Sequence, residues 1–206
     1  QPGSEAASQN ASMVRELVLD PSERILAVRA ARWMAQPDGH RSFLRKTGAI
    51  IANVGSSRPE LEEAARHLGA MGVSCDQIDN LSEVAPALGG AVVQQAYYLP
   101  EAGLADGHEL VTFWLSEARL RGVVIRMNTQ VHGLLINEDK VVGVRTNKGN
   151  IHAEHVVVAA GAWAGLLARS AHLKRPLSPR TRHLLISQPI HCYCILWESH
   201  HHSYNE

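Results

Sequence analysis

Two stretches of this 206-residue chain carry residue types suited to holding a large, flat ligand. The first is Val156-Val157-Val158-Ala159-Ala160-Gly161-Ala162-Trp163. A β-branched run reads as a buried strand, because branched side chains suit a pleated surface covered on both faces. The run then breaks into Ala-Ala-Gly, whose small or absent side chains let a ligand lie against the backbone itself. The same residues also suit a strand end packed under a helix, and from these eight residues alone that reading is favoured. The second stretch runs from Gly3 to Arg15, where Ser4, Ser8, Gln9, Asn10 and Ser12 mix with alanines. Small polar residues allow a ring system to approach closely, and N–H groups at a helix start can meet electron-rich oxygens. Its composition equally fits a low-complexity terminus.

Other reactive residue types assemble less well. Cys192-Tyr193-Cys194, with His191 and the His200-His201-His202 run, offers soft and borderline metal ligands. The spacing matches none of the common zinc templates, and thiols on alternate strand positions simply share a face, so no metal is assigned. His40, His67, His108, His132, His152 and His155 are scattered, and no nucleophile elbow supports a Ser-His-Asp arrangement. Three cysteines make no disulfide framework, which points to a reducing compartment, cytoplasmic or the mitochondrial matrix. Lys plus Arg equals Asp plus Glu at 20 each, so no charge excess argues for nucleic acid or a membrane surface. Nothing approaches the roughly 18–20 apolar residues of a membrane span.

The elements that must position these residues are legible from caps and periodicity. Asp20-Pro21-Ser22-Glu23 is a capping box with Pro at the first helical position, opening a helix to about Ala35 with Ile25, Leu26, Val28, Ala31 and Trp33 as its apolar positions. Phe43 to Val54 reads as one strand, with Gly48 a bulge or close approach. Ser57-Arg58-Pro59-Glu60 starts a helix bearing Leu61, Ala64, Ala65, Leu68 and Met71, which stops at Gly72. Val73 to Ile78 is strand-like, Ser82-Glu83-Val84 begins a short helix, and Ala91 to Tyr98 is extended. Asp106-Gly107-His108-Glu109 is a second capping box; its helix turns Leu110, Phe113, Trp114 and Ala118 toward a core and stops at Gly122. Val123-Val124-Ile125 follows as a strand. Gly133 to Ile136, Val141 to Thr146 and Ile151 to His155 form a β-meander, separated by polar turn residues. Arg182 to Ser187 and Cys194 to Trp197 are late strands.

This order of elements resembles the second half of the FAD-binding domain in the D-amino-acid oxidase, glycine oxidase and sarcosine oxidase superfamily. The matching text is Ala105-Asp106-Gly107-His108-Glu109-Leu110, Gly122-Val123-Val124-Ile125, Asn128-Thr129-Gln130-Val131, Val141-Val142-Gly143-Val144-Arg145-Thr146 and Val158-Ala159-Ala160-Gly161-Ala162-Trp163. Gly3 to Arg15 is similar to the family's flavin-contacting loop and helix start, often Ser-x-x-Asn-Ala-Gly, with Ser12 standing where the family usually has Gly. The resemblance implies FAD as cofactor, contacted by Ser8, Asn10, Ala11, Ser12, Met13, Val131, Ala159, Ala160, Gly161, Trp163 and Leu167. It implies a small amine or amino-acid substrate whose carboxylate pairs with Arg15, since the guanidinium fork matches a carboxylate. No catalytic base is identifiable.

The implied fold class is α/β with mixed α+β character: part of a Rossmann-like FAD-binding domain interleaved with an antiparallel-sheet substrate domain. Residues 1–36 and 106–174 would belong to the cofactor domain, 37–105 and 175–206 to the substrate domain. The family opens on a strand and a Gly-x-Gly-x-x-Gly turn that seats the pyrophosphate. No such turn occurs in this sequence. The expectation is therefore an internal portion of a longer enzyme that oxidises the C–N bond of an amino acid or N-methyl amino acid. A dehydrogenase of the same plan, passing electrons to a protein or quinone, and a truncated product that binds no FAD are the alternatives. Oligomeric state is not legible.

Overall fold

The computed structural model describes residues 2–3, 5–7, 12–36, 42–53, 57–86, 93–173, 177, 179 and 195–198. In chain order the elements are β1 (Met13–Val14), α1 (Pro21–Ala35), β2 (Leu44–Lys46), β3 (Ala49–Asn53), α2 (Pro59–Ala70), β4 (Asp76–Gln77), α3 (Leu81–Val84), β5 (Gln95–Leu99), β6 (Gly103–Ala105), α4 (Gly107–Leu120), β7 (Val131–Asn137), β8 (Lys140–Thr146), β9 (Gly149–His152), a 3-10 turn at Gly161–Trp163, α5 (Ala164–Ser170) and β10 (Ile195–Glu198). The class is mixed α/β with antiparallel sheets, as expected. Two compact units are formed, one by the described parts of Ala7–Phe113 and Ile186–Glu206, the other by those of Gln1–Ala6 and Trp114–Leu185.

In the unit containing Ala7–Phe113, β3 is buried along its whole length and pairs antiparallel with β5 and parallel with β10. Alternation sends Ala49 and Ile51 to one face, where they meet Tyr97, Leu99 and the apolar stripe Leu61, Ala64, Ala65 and Leu68 of α2. Ile50 and Ala52 face the other way, against Ala96 and the half-buried Ile78, Leu81, Val93 and Tyr98. Burial of each large aliphatic side chain here contributes roughly 1.5–3 kcal/mol. A separate small sheet, in the order β1-β6-β2, lies under Ala31 of α1 and Leu110 of α4.

The Asp20 and Asp106 N-caps form. Asp20 accepts from the Glu23 amide at 2.9 Å, and Asp106 accepts from His108 and Glu109 at 2.8 and 3.2 Å. Gly72 and Gly122 end their helices with φ of 72° and 76°. Several expectations are corrected. The run from Phe43 does not make one strand: Thr47 and Gly48 both donate to the Ala102 carbonyl, and the left-handed turn at Gly48 (φ 71°) sends β2 and β3 into different sheets. The stretch from Val73 shrinks to β4. Ile25, Leu26 and Trp114 are exposed, because the inward stripe of α1 is Arg24, Val28 and Ala31, and no residue of α4 is fully buried.

In the unit containing Trp114–Leu185, the meander forms as the sheet β7-β8-β9. Glu138 and Asp139 both take positive φ (47° and 61°), the backbone a tight hairpin turn needs. Helix α5 packs on β7 through Ser170, whose Oγ accepts from the Leu134 amide at 3.0 Å and donates to the Leu167 carbonyl at 2.7 Å. The two valine-rich runs are the main correction. Val123-Val124-Ile125 and Val156-Val157-Val158 are not strands, and Val124 and Val157 are 78% and 89% exposed. β-branched residues favour strands through packing against cross-strand neighbours, and the described residues supply none beside these runs. The late strand expected at Arg182 to Ser187 lies outside the described residues, as do Cys192, Cys194, His191 and His200 to His202.

Candidate functional site

The sequence-derived candidates fall into two sets, one in each unit. Ser8, Asn10 and Ala11 lie outside the described residues. Ser12 lies just before β1, and its carbonyl accepts from the Ala105 amide at 2.8 Å. Its φ is 56°, in the left-handed region that glycine occupies without penalty and other L-residues do not. This is the position where the resembling pattern has Gly. The backbone thus keeps the conformation of a glycine while carrying a serine. Ser12→Gly should stabilise the chain by about 1 kcal/mol, read as a higher urea midpoint. An unchanged or lower midpoint would show that the serine side chain compensates the backbone.

Met13 pairs with Leu104 across β1–β6 and is half-buried. Arg15 follows directly and is also half-buried; burial lowers the pKa of its guanidinium, and the Glu23 carboxylate opposes that shift. A partly desolvated guanidinium beside a strand end is chemically able to hold a carboxylate by charge-assisted hydrogen bonds.

In the other unit the backbone from Val156 to Ala160 forms no helix and pairs with no strand among the described residues, then tightens into the 3-10 turn and α5. Ala159, Gly161 and Trp163 are exposed, Val131 opens β7 on an exposed face, and Leu167 is half-buried. Gly161 has φ 50°, and among the described residues beyond its chain neighbours nothing lies within 4 Å of where a Cβ would project. Small side chains and bare backbone therefore leave this turn open to a flat ligand. Among the described residues no group of three or more His, Cys, Asp or Glu side chains could hold a metal ion, and no helix is long and apolar enough to cross a membrane. Cys75 is a free thiol whose pKa is pushed up to about 12, first by burial and then by Asp76 and Glu16, which leaves it poorly nucleophilic.

Two charged residues escaped the sequence reading. Arg24 is buried on the inward stripe of α1, donating from Nε to the Val18 carbonyl (2.9 Å) and from Nη2 to the Leu19 carbonyl (2.7 Å), with Nη1 3.1 Å from His67 Nδ1. It ties the loop before α1 to α2. The available signal was its spacing of four and seven residues from Val28 and Ala31 on the apolar stripe. Glu16 is buried as well, between buried Val14 and buried Leu17 in the chain.

The comparisons with known proteins define first a class, the flavin-dependent oxidoreductases. The model of the DAO family, "FAD dependent oxidoreductase", matches residues 1–204, and the chain belongs to that family. The family is one of amino-acid and N-methyl amino-acid oxidoreductases, and FAD is its cofactor. The chain is 36% identical over 98 residues to a D-amino acid dehydrogenase of Paramagnetospirillum magneticum, a match covering 47% of this chain and 23% of that protein. It is 32% identical over 115 residues to the sarcosine oxidase subunit beta of an Arthrobacter species, covering 54% of this chain and 28% of that one. The structure resembles L-proline dehydrogenase from P. horikoshii with a TM-score of 0.69 at 25% identity, over 83% of this chain and 47% of that chain. The matches thus span less than half the length of each of these three relatives.

Proposed function

We propose that this chain carries part of the cofactor and substrate sites of an enzyme that oxidises the C–N bond of an amino acid or N-methyl amino acid. The observation that carries the reading is the half-buried Arg15 at the end of β1, in a family whose named relatives act on carboxylate-bearing amines. Residues 1–36 and 106–174 would form the FAD-binding domain, and 37–105 with 175–206 the substrate domain. Ser8, Asn10, Ala11, Ser12 and Met13 would hold the cofactor from one stretch. Val131, Ala159, Ala160, Gly161, Trp163 and Leu167 would hold it from the other. When bound, FAD supplies the acceptor for a hydride equivalent from the carbon beside nitrogen. Arg15 fixes the substrate carboxylate and with it the direction in which that carbon points. The bare backbone at Ala159 to Gly161 admits the ring without a side chain in the way.

The test is anaerobic bleaching of flavin in the complete protein by a panel of amino acids, N-methyl amino acids and simple amines. Bleaching by carboxylated amines supports the reading, and a panel that leaves the flavin oxidised sinks it. Reoxidation by oxygen in stopped flow then assigns oxidase or dehydrogenase. The cofactor role of the small residues has its own test. Ala160 has φ −93°, so Ala160→Leu adds bulk without the left-handed strain that any substitution at Gly161 carries. The variant should lose most of its flavin while its thermal midpoint shifts little, since Ala160 lies outside the packed core. Full flavin occupancy would place this segment away from the cofactor.

A further inference from the structure

Glu16 is 4% exposed, and the fold gives its carboxyl little to hold. The backbone carbonyl accepts from the Val18 amide at 3.0 Å, but side-chain Oε2 has no hydrogen-bond partner among the described residues. The charged and titratable groups facing it come from three places: Arg32 on α1, Glu101 between β5 and β6, and the Cys75 thiol before β4. Both ionic neighbours are engaged elsewhere. Arg32 donates to the Met71 carbonyl, and Glu101 pairs with Lys46. An ionised carboxylate at this place is desolvated, faces a like charge and shares Arg32 with the Met71 carbonyl, whereas the neutral acid carries no such burden.

We propose that Glu16 is a proton-operated latch: with its proton the segment 12–20 stays seated against α1 and the β5–β6 turn, and without it the segment is pushed outward. The inference is independent of any role for Arg15 in substrate binding. Burial raises the pKa of the carboxyl above its ordinary value; a hydrogen bond from its own backbone and the Arg32 charge oppose the rise, and Glu101 adds to it. The sign follows from linkage. A carboxyl whose pKa is raised on folding holds a proton in the folded chain that the unfolded chain has released. Its stabilising contribution is full below the ordinary carboxylate pKa and is lost as pH rises through the raised one.

The experiment is the thermal midpoint of the full chain from about pH 5 to pH 8, together with Glu16→Gln and Glu101→Gln. The wild-type midpoint should fall as pH rises through this range. Glu16→Gln, which keeps the shape of the neutral acid, should remove that fall and raise the midpoint at the upper end. Glu101→Gln should narrow the window, because one of the charges opposing ionisation is gone. A second readout needs no variant: the infrared stretch of a protonated carboxylic acid should be lost at a higher pH in the folded wild-type chain than in the unfolded one. A band lost at the same pH in both, or a Glu16→Gln chain that keeps the full slope, overturns the proposal.

Discussion

Gly143→Ala is expected to cost about 3 kcal/mol or more, enough to melt the β7-β8-β9 sheet under conditions where the parent is folded. A Cβ at this position would stand 2.1 Å from the Ile151 carbonyl oxygen and 2.9 Å from the His152 Cα. Both are backbone atoms of β9, which pairs with β8 through Gly143 and His152. A flexible side chain could swing aside, but a paired strand moves only by breaking its ladder. The φ of 150° adds a conformational penalty to the collision. Gly122→Ala is the control, since φ there is 76° but, among the described residues beyond its chain neighbours, nothing lies within 4 Å of the added carbon. It should cost only the left-handed penalty of about 1–2 kcal/mol. Urea midpoints of the two variants separate steric from conformational cost, and a Gly143→Ala chain as stable as Gly122→Ala would remove the steric argument.

Arg15→Met, made in the complete enzyme, carries the second large effect. Methionine keeps a long apolar stem and deletes the fork. If Arg15 pairs with the substrate carboxylate, kcat/KM for amino acids should fall by about 2–4 kcal/mol, as for a charge-assisted hydrogen-bonded pair in a partly desolvated site. Amines without a carboxylate never use the contact and should be affected far less. Flavin content should stay constant, which separates a substrate role from a cofactor role. Equal losses for both substrate classes would take Arg15 out of the site.

Local chemistry is what the sequence made readable. Asp20 with Pro21, Asp106 with Glu109, and the glycines at 72 and 122 set helix limits through caps whose partners lie within a few residues. The meander was legible for the same reason, since its turns are set by the residues between the strands. Gly48 was harder. A Cβ there would meet the Tyr98 hydroxyl at 2.6 Å, a restriction imposed from across the sheet. The valine runs were misread because a strand needs a neighbour, and β propensity reports the fit of that neighbour rather than a property of the run. At the candidate site, the oddity of Ser12 was visible as a departure from a pattern, and its backbone explains why the pattern favours Gly. The burial of Glu16 and Arg24 is a tertiary fact that charge alone concealed.

The exposed valine runs have a consequence for how this polypeptide behaves in bulk. Val124 to Ile125 and Val156 to Val158 have no strand partner among the described residues and carry exposed branched side chains, the surface on which foreign chains add edge to edge. Long-range repulsion does little to oppose such addition, because the formal net charge is +0 and the isoelectric point is near 7.4. Colloidal stability is therefore lowest close to neutral pH, and turbidity at fixed protein concentration should peak there and fall as the solution is moved to either side.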